Sequence, residues 1–157
     1  MDDRLLLRHS LAIIAYRGGK QIRTAPPEFW VYDTGDAKTP LHILSHISDL
    51  IHWALTLASG QGQGQNRTPG TPKQEIERFH SSLAELDAFL GSSAPIMAEI
   101  PRLLAGPIAD SLTHIGQLAI LRRMSGSPTI GENYYTADIV TGHVGPEQSP
   151  PVKPVKR

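Results

Sequence analysis

The sequence predicts an all-α protein built from four long helices with irregular connections. Four segments place apolar residues three and four apart, and the stretches between them are rich in Gly, Pro, Thr and Ser. The one aromatic run, Phe29-Trp30-Val31-Tyr32, is too isolated to nucleate a sheet. With 157 residues, 39% of them hydrophobic, a single domain is expected, and one of this size buries roughly 68 to 70% of its unfolded surface.

The first helix is expected from Asp3 to Ile22, with Leu6, Ile13, Ile14 and Tyr16 among its apolar positions and Gly18-Gly19 weakening its last turn. Residues 24–38 follow, and their aromatic run is expected to pack as a flap over one end of the bundle. Thr39 as N-cap and Pro40 in the first turn open a second helix that continues through Leu44, Ile47, Ile51 and Ala58 to a stop at Gly60. Residues 60–70 alternate Gly and Gln without the Lys-Ser/Thr pair of a phosphate loop, and read as a flexible connector.

Thr71-Pro72 starts a third helix, and Gln74 completes a capping-box pattern. Ile76, Phe79, Leu83, Leu86 and Leu90 mark its apolar stripe up to Gly91. The fourth helix starts between Pro101 and Pro107 and runs to about Arg123, with Ile108, Leu112, Ile115, Leu118, Leu121 and Met124 around so much of its circumference that it should be largely buried. Arg122 and Arg123 complement its C-terminal dipole. The tail, 127–157, reads as extended, with its Pro- and Lys-rich last residues poorly ordered.

Fifteen Lys and Arg balance fifteen Asp and Glu, which leaves no basic stripe for a nucleic-acid backbone. Two acids near the start stand where a signal peptide would be basic, and no apolar run reaches the eighteen or so residues of a membrane span, so a soluble, cytoplasmic protein is expected. There is no cysteine and there are seven histidines. A metal here would therefore be held by imidazole and carboxylate, and no thiol nucleophile is available from the chain.

Helical phase sorts these histidines. With Leu41 at zero, the apolar arc of the second helix spans about 160° to 320°, His46 borders it at about 140°, and Trp53 lies beside it at about 120°. His42 and Asp49 fall on the flank, and His52 should be solvated. On the fourth helix Asp110 and His114 are four apart and Gln117 continues their stripe. Three polar groups together on a largely apolar helix cost several kcal/mol unless something satisfies them. One explanation is a local network of Asp110, His114 and Gln117 with the backbone. The other is a divalent metal with His46 as third protein ligand, a set that leaves positions open for water and substrate.

Leu44-Ser45-His46-Ile47-x-Asp49-Leu50-x-x-Trp53-Ala54-Leu55 and Gly106-Pro107-Ile108-Ala109-Asp110-x-Leu112-Thr113-His114-Ile115-Gly116-Gln117-Leu118-x-x-Leu121-Arg122-Arg123, together with Arg8-His9-Ser10-Leu11-Ala12 and Ala15-Tyr16-Arg17, resemble the DinB/YfiT-like proteins. The resemblance covers most of the chain outside the connector and tail. It implies a four-helix bundle with a metal bound by His46, Asp110 and His114, although many members carry histidine where this chain has Asp110. That exchange makes the site more anionic and moves its preference toward Fe2+ or Mn2+, with Zn2+ and Ni2+ still accommodated.

The resemblance further implies a metal-dependent enzyme acting on a small-molecule substrate, as a transferase using a low-molecular-weight thiol cosubstrate or as a hydrolase activating water. Gln117 would then orient a metal ligand. His9 could approach the site from the first helix, although a hydrogen-bonded core histidine explains it better. Trp53 could wall a pocket, and Tyr134 or Tyr135 could lid it. No general base is assignable. The competing expectation is a non-catalytic bundle that binds a small ligand or a protein partner, its polar cluster structural. A homodimer through a remaining apolar stripe, on the first helix, is also compatible with the sequence.

Overall fold

The computed structural model describes residues 2–35 and 38–152. Its long elements are helical and begin where the capping residues place them. Helix α1, Asp3–Ile22, starts at Asp2, whose carboxylate accepts from the Arg4 backbone N–H at 3.2 Å. Pro27–Val31 forms a short 3-10 turn that buries Phe29 and Trp30 against each other and against α2, Pro40–Ala58. Thr39 occupies the N-cap of α2, but its hydroxyl bonds to His42 Nδ1 at 2.7 Å instead of to a backbone N–H. Helix α3, Pro72–Gly91, has both halves of the Thr71/Gln74 capping box.

The fourth helical segment is broken. A short α4, Ile100–Leu103, passes through a wide turn at Leu104–Ile108 into α5, Ala109–Met124. Pro107 has no N–H to donate and its ring would meet the carbonyl of Leu103, so the ladder opens there and Gly106 leaves helical geometry.

The four long helices close a ring of contacts, with α1 and α2 each packed on both α3 and α5. Arg4 donates to Leu90 O and Arg8 pairs with Asp87 at 2.9 Å, whereas Gly18 meets Phe79, so α1 and α3 run antiparallel. Gly18 also approaches Ile115, and Arg122 reaches Gln21 O, so α1 and α5 run parallel. Ile43 faces Leu121 while Trp53 faces Ala109, which sets α2 antiparallel to α5 and therefore parallel to α3.

Parallel neighbours joined in sequence need a crossover as long as a helix. Residues 61–70 provide it. Gln61 and Gly62 donate to Thr56 O, the Thr56 hydroxyl donates to Gln63 O, and Arg67 N–H donates to Asp49 at 3.0 Å, so the connector runs back along α2. The tail does the same for α1. Thr129 bonds Gln21, Glu132 pairs with Lys20 at 3.2 Å with both side chains buried, Tyr134 stacks edge-on against Tyr16, and Thr141 bonds His9. The tail thus covers one face of α1, while Leu5 and Leu6 near the start of the helix stay exposed. Residues 153–157, expected to be poorly ordered, lie outside the described residues.

Several polar residues have roles that helical phase did not show. Asp49, expected on a flank, is 3% exposed, because Arg78 on α3 reaches across to it at 2.7 Å and also binds Glu75 and both oxygens of Ser45. Arg122, expected to serve the dipole of its own helix, is buried and donates to Gln21 O, Thr24 O and Ser127 O, closing the C-terminal end of α1. Helix α5 is less buried than its composition suggests, with Ile120 and Met124 more than half exposed. Among the described residues no helix is long and apolar enough to cross a membrane.

Candidate metal centre

Where α2 and α5 pack together, the partly buried His46 and His114 stand beside the buried Ile43 and Leu121. The imidazoles stand edge to face with centroids 4.7 Å apart and planes at 83°. One turn before His114, the Asp110 carboxylate lies 3.5 Å from His114 Nε2, with side-chain exposures of 47% for Asp110 and 21% for His114. One ligand atom from each of His46, Asp110 and His114 falls within 4.8 Å of the others. Bonds of about 2.0 to 2.2 Å place tetrahedral ligand atoms about 3.4 Å apart, so a small side-chain adjustment would close the group around a divalent ion. Two imidazole nitrogens and one carboxylate oxygen suit a first-row divalent metal.

Protonation follows from the neighbours. Gln117 Oε1 lies 2.7 Å from His114 Nδ1. With the amide oxygen accepting there, Nδ1 carries the hydrogen and Nε2 presents its lone pair toward Asp110 and His46. Burial pushes the His46 pKa below the usual imidazole range, and His114 adds to this while Asp110 opposes it. A neutral imidazole is the form that ligates.

The group opens on two sides. A cavity of about 560 Å³ is lined by His46, His114, Gln117, Ile43, Ile120, Leu121 and Met124, with Thr34 and Lys38 from the loop before α2. On the other side Asp110 shares a depression of about 330 Å³ with Trp53, Gly106 and Thr113.

The remaining candidates are dispersed. Trp53 does wall a pocket, the one beside Asp110, with connector residue Gly64 against its indole. His9 is held by Thr141 at 2.9 Å on the tail side of α1, away from the group. Tyr134 packs on Tyr16 with the Arg17 guanidinium 3.9 Å over its ring, beyond the opposite side of α5, and Tyr135 is 96% exposed; neither lids the cavity. His42, expected on the flank, is exposed, while His52 is half-buried instead of solvated. Thr34, Lys38, Ile120 and Met124 were missed as lining. The positions 117, 120, 121 and 124 fall on one side of a helix, a signal available in the spacing but absorbed by the assignment of α5 to the core.

No family model, curated protein or solved structure matches the chain.

Proposed function

We propose that this chain is a divalent-metal-dependent enzyme of the DinB/YfiT type that acts on a small molecule, with His46, Asp110 and His114 holding the ion. The observation carrying the proposal is the convergence of these three ligand atoms within 4.8 Å beside an open cavity. The order of the matching motifs on α2 and α5 supports the family assignment. When bound, the ion would supply Lewis acidity and lower the pKa of a water or a thiol at an open position.

The chain's own residues do the rest. His46 and Asp110 reach the group from opposite sides of the α2/α5 seam. Gln117 fixes the tautomer of His114. Because the sequence has no cysteine, thiol transfer would use a low-molecular-weight thiol cosubstrate.

The test is metal analysis of protein purified without an affinity tag or chelator, followed by thermal melts with added Zn2+, Ni2+, Mn2+ or Fe2+. Free metal at a hundred times its Kd should stabilise the fold by about 2.7 kcal/mol. For a domain of this size that raises the melting temperature by roughly 5 to 10 °C. His46→Ala and Asp110→Ala should abolish the shift with helicity unchanged. Absence of stoichiometric metal together with no shift from any of the four ions would overturn the proposal.

A further inference from the structure

The cavity beside the imidazole pair has a composition that selects its occupant. It follows α5 from His114 to Met124, about 15 Å at 1.5 Å per residue. Because α2 runs the opposite way, Ile43 and the preceding Lys38 fall toward the Met124 end. Ile43, Ile120, Leu121 and Met124 form the walls, and Ile120 and Met124, one turn apart, are 54% and 55% exposed. Two large apolar side chains facing an open cavity gain by being covered. Lys38 is the permanently charged residue on the lining, and no ion pair to it occurs among the described residues.

We propose that this cavity binds an apolar small-molecule anion, its hydrocarbon body against Ile43, Ile120 and Met124 and its carboxylate on Lys38, so that its other end meets His46 and His114. This names the substrate class for the metal-dependent reading and rests on that reading only for the chemistry at the imidazole end. A polyhydroxylated ligand fits poorly along the apolar stretch, since hydroxyls set against Ile43, Ile120, Leu121 and Met124 would be stripped of water with no hydrogen bond in return. A hydrocarbon chain loses nothing there, and its single charge has a partner.

Octanoate and octan-1-ol serve as probes, since they share a hydrocarbon chain and differ in charge. Calorimetric titration of the full chain, as purified and after chelator treatment, should show octanoate binding at one site in both forms. Lys38→Ala should weaken octanoate roughly two- to fivefold, as for a solvent-accessible ion pair, and leave octan-1-ol unchanged. Met124→Glu should weaken both probes by at least about tenfold, because it sets an ionised group against their hydrocarbon. Ile120→Ser, a milder change in the same wall, should weaken both to a lesser degree in a protein whose helicity is intact.

Failure of octanoate to bind, equal response of both probes to Lys38→Ala, or indifference of both to the two wall variants would overturn the proposal. The metal reading is scored separately by metal content. A chain that binds octanoate but no metal sustains the cavity assignment alone, and one that binds metal but not octanoate refutes the cavity assignment alone.

Discussion

Gln117→Leu separates the proposed metal centre from the scaffold. The Gln117 amide is exposed and its partner is His114 Nδ1 at 2.7 Å, three residues back on the same helix. Replacing it by leucine strands no buried group and keeps a good helix former, so metal-free stability should stay within about 0.5 kcal/mol of wild type. What is lost is the acceptor that sets the His114 tautomer and ring orientation. Removing such a partner typically lowers metal affinity 10- to 100-fold, which is about 1.4 to 2.8 kcal/mol. Gln117→Glu keeps an acceptor, adds a negative charge and should hold Zn2+ at least as tightly as wild type. Competition for Zn2+ against a chromophoric chelator measures the affinities, and urea titration of metal-free protein measures the stabilities. Gln117→Leu binding Zn2+ like wild type would refute the reasoning. A parallel fall in affinity and metal-free stability would make Gln117 a scaffold residue instead.

Three further outcomes concern the fold. Arg78→Met removes the cation from Asp49 and Glu75, both at most 5% exposed, and should cost about 3 to 5 kcal/mol in urea unfolding; a loss under about 1 kcal/mol would contradict the buried pairing. Gly18→Ala places a Cβ 2.7 Å from Phe79 Cζ and 3.2 Å from Ile115. Overpacking of about 1 to 3 kcal/mol should outweigh the helix-propensity gain of about 1 kcal/mol, whereas Gly116→Ala, with nothing within 4 Å of its Cβ, should keep that gain. Chemical denaturation of the pair reads the opposite signs. Burial holds the His80 pKa below its usual value, so the unfolded chain binds this proton more readily, and stability present above about pH 6.5 falls as the pH drops below it. His80→Gln should flatten the urea midpoint's dependence on pH between 7.5 and 5.5; an unchanged slope would assign the loss elsewhere.

Local rules made most of the helical architecture legible. Thr71 with Gln74, and Thr39 with Pro40, mark starts that depend on a few neighbouring residues, and the structure begins α3 and α2 there. Asp110, His114 and Gln117 share one helix, so their spacing alone places them together. Asp49 and Arg122 were misjudged for a shared reason. Their burial is created by a residue or backbone carbonyl from another helix, Arg78 in one case and Gln21 in the other, and helical phase carries no information about a partner some 30 or 100 positions away. The Tyr134 lid failed likewise, because proximity in sequence to α5 does not say which side of it the tail will take. The broken start of α5 was half legible, since Pro107 announces a break while the wide turn through Gly106 depends on how the chain resumes.

The division of α2 explains how a polar group can survive at the seam between α2 and α5. Ser45 and Asp49 turn toward α3 and are consumed by Arg78, while Ile43 and His46, offset around the same helix, turn toward α5. The interhelical ion pairs Arg8–Asp87 and Arg78–Asp49 both fasten α3, and Arg122 fastens the end of α1. None of them touches His46, Asp110 or His114. The seam between α2 and α5 is lined instead by apolar residues such as Ile43 and Leu121, which do not compete for the imidazoles. The interhelical ion pairs thus leave His46, Asp110 and His114 to one another and to any ion they hold, and α3 and the end of α1 are fastened elsewhere. Substitutions at the ligands should therefore change metal binding far more than folding, and Arg78→Met should do the reverse.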